Sequence, residues 1–433
     1  MSIQDTIGPE KMEEILVSHL KENKIFREGP QPWTIRRSSL GGRGMFATRN
    51  IEQNELIFID APLIIGPRSV GKHLQMCVCC YKNECPLFPC DRGCGLPVCS
   101  NQCENSPKHV NYECEYLRSL VPTCGTDWSL DLLVAVIPIR ALFMTEQQRK
   151  CLAALQYDET LNVDHEVGLL KKNVANSPSK KDMELMKRVC EVFNTNSFET
   201  VCVHDKDHFV SLRGLYPMGS LQNHCCIPNT RHHFDGDYRL YVSAALPISA
   251  GEEITMSYTS LFWDTTLRRQ FLSMTKHFAC ICIAAVVEEI LYKTSRQILR
   301  FMQKELSVLV PWCNYLIIDV KFRIISYFGR SDGLEWKDLS DNELDMKANY
   351  CNDLLSMLDV LNCGDCKKRG LILYELYCTN LEKMKRLKQQ VNIEMVDENQ
   401  NLLKKAMVIL QNDIVTVTTF KHDQKYFEQL ITV

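Results

Sequence analysis

Nine of the 22 cysteines fall between Cys77 and Cys114, and the spacing of eight potential ligands there is the strongest chemical signal in the chain. In order the segment offers Cys77-x2-Cys80, Cys90-x3-Cys94, Cys99-x3-Cys103 and, with a histidine, His109-x4-Cys114. Thiolate and imidazole are preferred zinc donors, so eight of them in four pairs predict two closed tetrahedral sites. Interleaved pairing puts Cys77, Cys80, Cys99 and Cys103 on one ion and Cys90, Cys94, His109 and Cys114 on the other, leaving Cys79 and Cys85 over. Such sites are structural, because a catalytic zinc keeps an open position that four protein ligands do not leave. A segment of about 40 residues is too short for a core of its own and draws its folding free energy from the ions. The competing reading is a set of disulfides. The polar, acidic opening MSIQDTIGPEKMEEIL argues against it, since it lacks the basic stub and apolar stretch of a secretory leader.

On either side lie shorter motifs. Upstream is Gly42-Arg43-Gly44-Met45-Phe46-Ala47-Thr48; downstream are Gly214-Leu215-Tyr216-Pro217, Asn223-His224-Cys225-Cys226-Ile227-Pro228-Asn229 and Gly251-Glu252-Glu253-Ile254-Thr255-Met256-Ser257-Tyr258. Singly, each is as readily a turn, a buried amide or a hairpin. In this order and spacing they resemble the SET domain. The cysteine series, with Val98-Cys99-Ser100 and Glu113-Cys114, resembles the MYND zinc finger, though one residue longer in the Cys90–Cys94 and His109–Cys114 gaps. Together, over about residues 33 to 285, the chain resembles the SET and MYND domain (SMYD) family. The pieces Pro32-Trp33, Gly66-Pro67-Arg68 and Cys77-Val78-Cys79-Cys80-Tyr81 look most like its arthropod branch.

That resemblance implies methyl transfer from S-adenosylmethionine to a lysine amine. By it, Tyr258 is the catalytic tyrosine, and Arg43, Gly44, Asn196, Asn223, His224, Tyr258 and Phe278 contact the cofactor or wall its channel. Two departures bear on the chemistry. A third zinc would have Cys226, Cys280 and Cys282 and need a substitute fourth ligand such as His277, Cys225 or water, because Ala285 stands where the family has another cysteine. Lys276 stands where the family often has a tyrosine lining the lysine channel; a protonated lysine there would oppose an incoming cationic substrate, while a desolvated one would shift toward neutral.

The elements that must position these residues are legible from periodicity. Met12, Ile15, Leu16, His19 and Leu20 recur at helical spacing and predict a helix over 9 to 24. Residues 33 to 36 and 55 to 59 read as strands among glycine turns, and Asp235-Gly236 as the turn of a hairpin between 232 to 234 and the alternating 238 to 242. Residues 128 to 193 read as helical with a loop at 173 to 181, and 288 to 307, 341 to 361, 370 to 390 and 398 to 413 as C-terminal helices. The fold class expected is therefore α+β: SET-type small β-sheets with a knotted core, an inserted MYND-like finger and helical insert, and an all-α C-terminal domain. The expected divisions are an N-terminal helix (1–30), SET first part (31–76), finger (77–114), helical insert (115–193), SET core second part (194–260), post-SET segment (261–287) and helical domain (288–433). Cys363-Gly364-Asp365-Cys366 falls between helices, away from any βαβ unit, and reads as a loop with incidental thiols.

A net charge of -3 over 433 residues offers no general attraction to nucleic acid, and the longest apolar run, 132 to 139, is far below the ~20 residues that span a bilayer. The function expected is a protein-lysine N-methyltransferase acting on histone or non-histone proteins, with a role in negative regulation of gene expression. Protein substrates or peptide partners would meet the finger and the helical C-terminus, in the nucleus and cytoplasm. The alternative is a catalytically weak or inactive scaffold mediating protein–protein interaction in transcriptional regulation, favoured by Lys276 and Ala285.

Overall fold

The computed structural model describes residues 7–68, 75–157, 164–204, 209–226, 228–260, 263, 265–278, 315–331, 333–387 and 392–410. Cys280, Cys282 and Ala285 of the expected third zinc site lie outside the described residues, as does the helix expected over 288 to 307. The chain divides into two compact units. One comprises Met1–Met45, Phe58–Gln222 and His233–Tyr241; the other Phe46–Ile57, Asn223–His232 and Val242–Val433.

The first unit opens with the helix Pro9–Glu22, whose buried face is the predicted set Met12, Ile15, Leu16, His19 and Leu20. His19 is not there as an apolar residue. Its Nε2 lies 2.9 Å from Oδ1 of the fully buried Asp60. The other oxygen of Asp60 accepts the backbone N–H groups of Met218 at 2.7 Å and Gly219 at 3.1 Å, so one carboxylate ties the helix to the turn after Gly214-Leu215-Tyr216-Pro217.

Strands are short and arranged in small sheets, as expected. β1 (Trp33–Arg37) pairs with β2 (Arg43–Ala47). β3 (Leu56–Asp60) heads a second sheet completed in the order β3-β10-β9, and β4 (Ile64–Pro67) a third in the order β4-β8-β7. β5 (Phe88–Pro89) and β6 (Pro97–Val98) form a ribbon within the cysteine segment. β7 (Phe198–Val203) and β8 (Phe209–Leu215) are antiparallel, with Phe198 opposite Gly214, and β8 also pairs antiparallel with β4, Ile64 opposite Leu215. β9 (Thr230–Phe234) and β10 (Leu240–Ala244) complete the second sheet.

The hairpin between β9 and β10 differs from expectation. Its loop is Asp235 to Arg239, and β10 starts at Leu240 instead of Tyr238. The Asp235 carboxylate accepts the backbone N–H groups of Asp237 and Arg239, both at 2.9 Å, and Tyr238 takes a left-handed φ of 62°. A side-chain-capped loop has replaced a two-residue turn.

The helical insert is present, its longest member Lys180–Asn196 capped by Ser179, whose hydroxyl accepts the Asp182 N–H. In the second unit the C-terminal helices Tyr315–Tyr327, Asp341–Val360, Lys367–Leu387 and Ile393–Leu410 bury two apolar clusters, one around Phe328, Trp336 and Leu344, the other around Ile325, Cys351 and Ile372. A capping box, Ser340 with Glu343, starts the second of these helices. Among the described residues no helix is long and apolar enough to cross a membrane.

Candidate functional site

The finger assembles the eight predicted ligands in the predicted interleaved sets. One ligand atom from each of Cys77, Cys80, Cys99 and Cys103 lies within 4.8 Å of the other three, and the same holds for Cys90, Cys94, His109 and Cys114. The spacings within each set fit zinc. A tetrahedron with metal–thiolate bonds of about 2.3 Å has edges of about 3.8 Å. Cys80 and Cys99 sulfurs are 3.6 Å apart, Cys99 and Cys103 3.7 Å, Cys90 and Cys114 4.0 Å, and Cys94 Sγ lies 3.7 Å from His109 Nε2. Local chemistry delivers these atoms. Gly95 turns the chain at φ 75° between the β5 and β6 strands, where an added Cβ would meet Cys124 Sγ and a Leu132 methyl at 2.8 Å. Ser100 caps the short helix that carries Cys103, its hydroxyl accepting the Cys103 N–H at 3.2 Å.

A buried network backs the second set. With Nε2 facing Cys94, His109 turns Nδ1 toward Glu113 Oε1 at 3.4 Å. Both side chains are fully buried. Glu113 in turn receives Arg140 through Nη2 at 2.7 Å and Nε at 3.2 Å. Arg140 also donates to the Val78 carbonyl, the Ile65 carbonyl and the Tyr81 hydroxyl. Burial works against the Glu113 carboxylate, but the Arg140 charge and the His109 hydrogen bond hold it below the usual carboxylate range. A carboxylate on the outer nitrogen of a metal-ligating histidine fixes its tautomer and orientation. From sequence Glu113 enters only as the neighbour of Cys114 in the finger motif, with no role, and Arg140 has none. Glu113 stands four residues after His109, and Arg140 is a cation closing an apolar run; those were the available signals.

The residues expected around the cofactor fall in both units. In the first, Arg43 is 5% exposed and donates through Nη2 to the Ala154 carbonyl at 2.7 Å and through Nη1 to the Ile7 carbonyl at 3.1 Å. Gly44 is buried within β2. Asn196 ends its helix with Nδ2 donating to the Gln156 and Val192 carbonyls at 2.6 and 2.9 Å. These are backbone-bracing contacts.

In the second unit the Asn223-His224 and Glu253-to-Tyr258 motifs lie side by side. His224 forms a parallel bridge to Met256; Met256 N–H donates to the Asn223 carbonyl at 3.0 Å and Cys225 N–H to the Met256 carbonyl at 2.9 Å. Asn229 clamps the same segment, its Oδ1 accepting the Thr255 N–H at 2.8 Å and its Nδ2 donating to the Glu253 carbonyl at 2.8 Å. Asn223 Nδ2 donates to Glu253 Oε1 at 2.7 Å. His224 Nδ1 accepts the backbone N–H of Tyr258 at 3.0 Å, which places the neutral ring's proton on Nε2, 3.2 Å from Cys226 Sγ. Burial, with the nearby Arg268 charge, lowers His224 to about 4 and keeps it neutral. The rings of His224, Tyr258 and Phe278 form one cluster, with centroids 5.3 to 6.4 Å apart. Lys276 lies against it, Nζ 5.4 Å from the Tyr258 centroid. Burial pushes the Tyr258 hydroxyl up and the Lys276 ammonium down, the latter to about 8.

Comparison with known proteins fits this arrangement. The SET domain family matches residues 42–259. The chain is 31% identical over 411 residues to "SET domain-containing protein SmydA-8, isoform B" of Drosophila melanogaster, covering 89% of this chain and 87% of the relative. It is 28% identical over 268 residues to mouse "Histone-lysine N-methyltransferase SMYD3", covering 57% of this chain and 60% of that one. It is 26% identical over 274 residues to chicken "N-lysine methyltransferase SMYD2", covering 60% and 62%. With the Asn223-His224 and Glu253-to-Tyr258 motifs clipped together in one unit and eight finger ligands gathered in the other, the chain belongs to the SET and MYND domain family.

Proposed function

We propose that this chain is a protein-lysine N-methyltransferase using S-adenosylmethionine, with two zinc ions holding the finger. The observation that carries the reading is the locking of Tyr258. Its backbone N–H is held by a neutral His224, its segment is bridged to Asn223-His224 and clamped by Asn229, and its ring is walled by His224 and Phe278. A side chain fixed in this way suits a reaction that depends on alignment and exclusion of water more than on a strong base.

S-adenosylmethionine, when bound, supplies a sulfonium methyl group to an amine. The residues present suit such a ligand: Asn223 and Glu253 offer an amide and a carboxylate, and the aromatic cluster offers an apolar wall. In this reading Asn223 and His224 hold the cofactor, and the Tyr258 hydroxyl, kept neutral by its high pKa, faces the reacting groups. Histone or non-histone proteins are the substrates, met through the finger and the C-terminal helices. The place of action is nucleus and cytoplasm, with a role in negative regulation of gene expression.

The test is calorimetric titration of the purified, zinc-loaded protein with S-adenosylmethionine, followed by methyl transfer to histones and to a protein extract. Saturable binding with transfer supports the enzyme. Absence of binding at millimolar cofactor sinks it and leaves the scaffold reading, which Lys276 over Tyr258 favours.

A further inference from the structure

Lys276 ends the helix Thr265–Lys276, and its side chain turns back onto the ring of Tyr258, with Nζ 5.4 Å from the centroid. The same ring is packed by His224 and Phe278, so the amine sits at the edge of an aromatic cluster and not in open water. A cation held over a tyrosine face is attracted by the ring quadrupole. The chain thus presents a lysine of its own to the tyrosine assigned to the reacting centre.

We propose that Lys276 is an internal methyl acceptor: in the presence of S-adenosylmethionine its own Nζ is methylated at the Tyr258 centre. The inference rests on the function proposed above. The step balances without further reagents. The lysine lone pair forms the N–CH3 bond, the S–CH3 bond breaks with its electrons going to sulfur, S-adenosylhomocysteine leaves, and the proton lost by nitrogen goes to water.

Two physical terms favour it over a lysine arriving from solution. Tethering makes the encounter intramolecular, with an effective concentration no free substrate reaches. Desolvation supplies the reactive form: with its ammonium lowered to about 8 by burial, roughly half of Lys276 is neutral at pH ~8, against about one part in 300 for an ordinary lysine. Methylation keeps the charge and adds apolar surface, so the product would be held more firmly over the ring than the parent amine.

The experiment incubates the full-length, zinc-loaded protein with methyl-labelled S-adenosylmethionine and maps labelled peptides by mass spectrometry, with a parallel calorimetric measurement of cofactor binding. Label is expected on Lys276, at a first-order rate independent of protein concentration. Lys276→Arg should lose that label while still binding cofactor, and Tyr258→Phe should keep the lysine but slow its labelling at least tenfold. An unlabelled Lys276 overturns the proposal. If the same preparation binds cofactor or methylates added protein, the proposed function survives that failure; if it does neither, both fall. Labelling that rises with protein concentration would make Lys276 a substrate of a second molecule and overturn the internal route.

Discussion

Tyr258 and Asn223 are both joined to the Glu253-to-Tyr258 segment, yet they should fail differently when changed. Tyr258→Phe keeps the ring contacts with His224 and Phe278 and the backbone bond to His224, so cofactor affinity is expected to stay within a few-fold while turnover falls by at least ~100-fold. Asn223→Ala removes a donor to Glu253 and should weaken cofactor binding itself. Calorimetry beside single-turnover kinetics separates the two, and a Tyr258 variant that no longer binds cofactor would make that residue structural. At the finger, Glu113→Gln leaves His109 without its carboxylate and is expected to cost the Cys90 site ~10–100-fold in zinc affinity. The Cys77 site, made of four cysteines, has no histidine ligand for a carboxylate to orient and should hold its ion unchanged, which competition with a chelator would show. The ligands themselves were legible because metal geometry forces short, regular spacings into the chain. The support from Arg140 was not, since Arg140 comes from 27 residues beyond Glu113 and a single cation in an apolar run does not say what it pairs with.

At the scale of elements, periodicity read the first helix and its buried face correctly but carried no information on what His19 does there. His19 carries an apolar position, but 1% exposure and a 2.9 Å bond to Asp60 make it half of a buried ion pair. Burial alone would lower its pKa; the hydrogen bonds of Asp60 and Cys151 and the Asp60 charge outweigh this and raise it to about 10. The unfolded value is 6.5, so the pair's contribution is complete below about pH 6.5, declines as the unfolded state loses its proton first, and is gone above about pH 10. Thermal unfolding of wild type should therefore lose stability between these limits relative to His19→Met. A difference that is flat with pH would show the ring is neutral in the fold. Asp60→Ala removes the histidine's partner and two backbone caps together and should cost ~3–5 kcal/mol. Sequence could not show this, nor the β4-β8-β7 order, because His19 and Asp60 are 41 residues apart and the Asp60–Met218 bond and the β4–β8 pairing each join residues more than 100 apart, for which local pattern carries no information.

At the scale of the whole molecule, length and composition indicated several domains, and motif order placed them along the chain; what they did not convey is how one compact unit is stitched from three stretches. Within the second unit, Arg231 on β9 is buried and donates to the carbonyls of Ala244 at 3.0 Å, Asp365 at 3.2 Å and Val408 at 3.4 Å. Two of those acceptors belong to the loop and helix of the C-terminal region, so the helices complete the hydrogen bonding of a SET strand. The loop's fit is tight: Gly364 takes φ 55°, and an added Cβ would stand 2.3 Å from the Ala245 carbonyl, which accepts the Asp365 N–H at 2.8 Å. Ala245 N–H in turn donates to the Asn229 carbonyl at 2.8 Å, and Asn229 clamps Thr255, three residues before Tyr258. Arg231→Met would leave the Asp365 and Val408 carbonyls without that donor while keeping most of the side-chain volume, so the loop should open without leaving a large cavity. If this run of contacts braces the tyrosine segment, hydrogen exchange should rise both at 363 to 366 and at 223 to 232 and 254 to 258, with residues 77 to 114 as in wild type, and cofactor affinity should drop several-fold. Exchange confined to the C-terminal helices, with affinity unchanged, would mean that those helices dock on the SET strands without holding the centre in place.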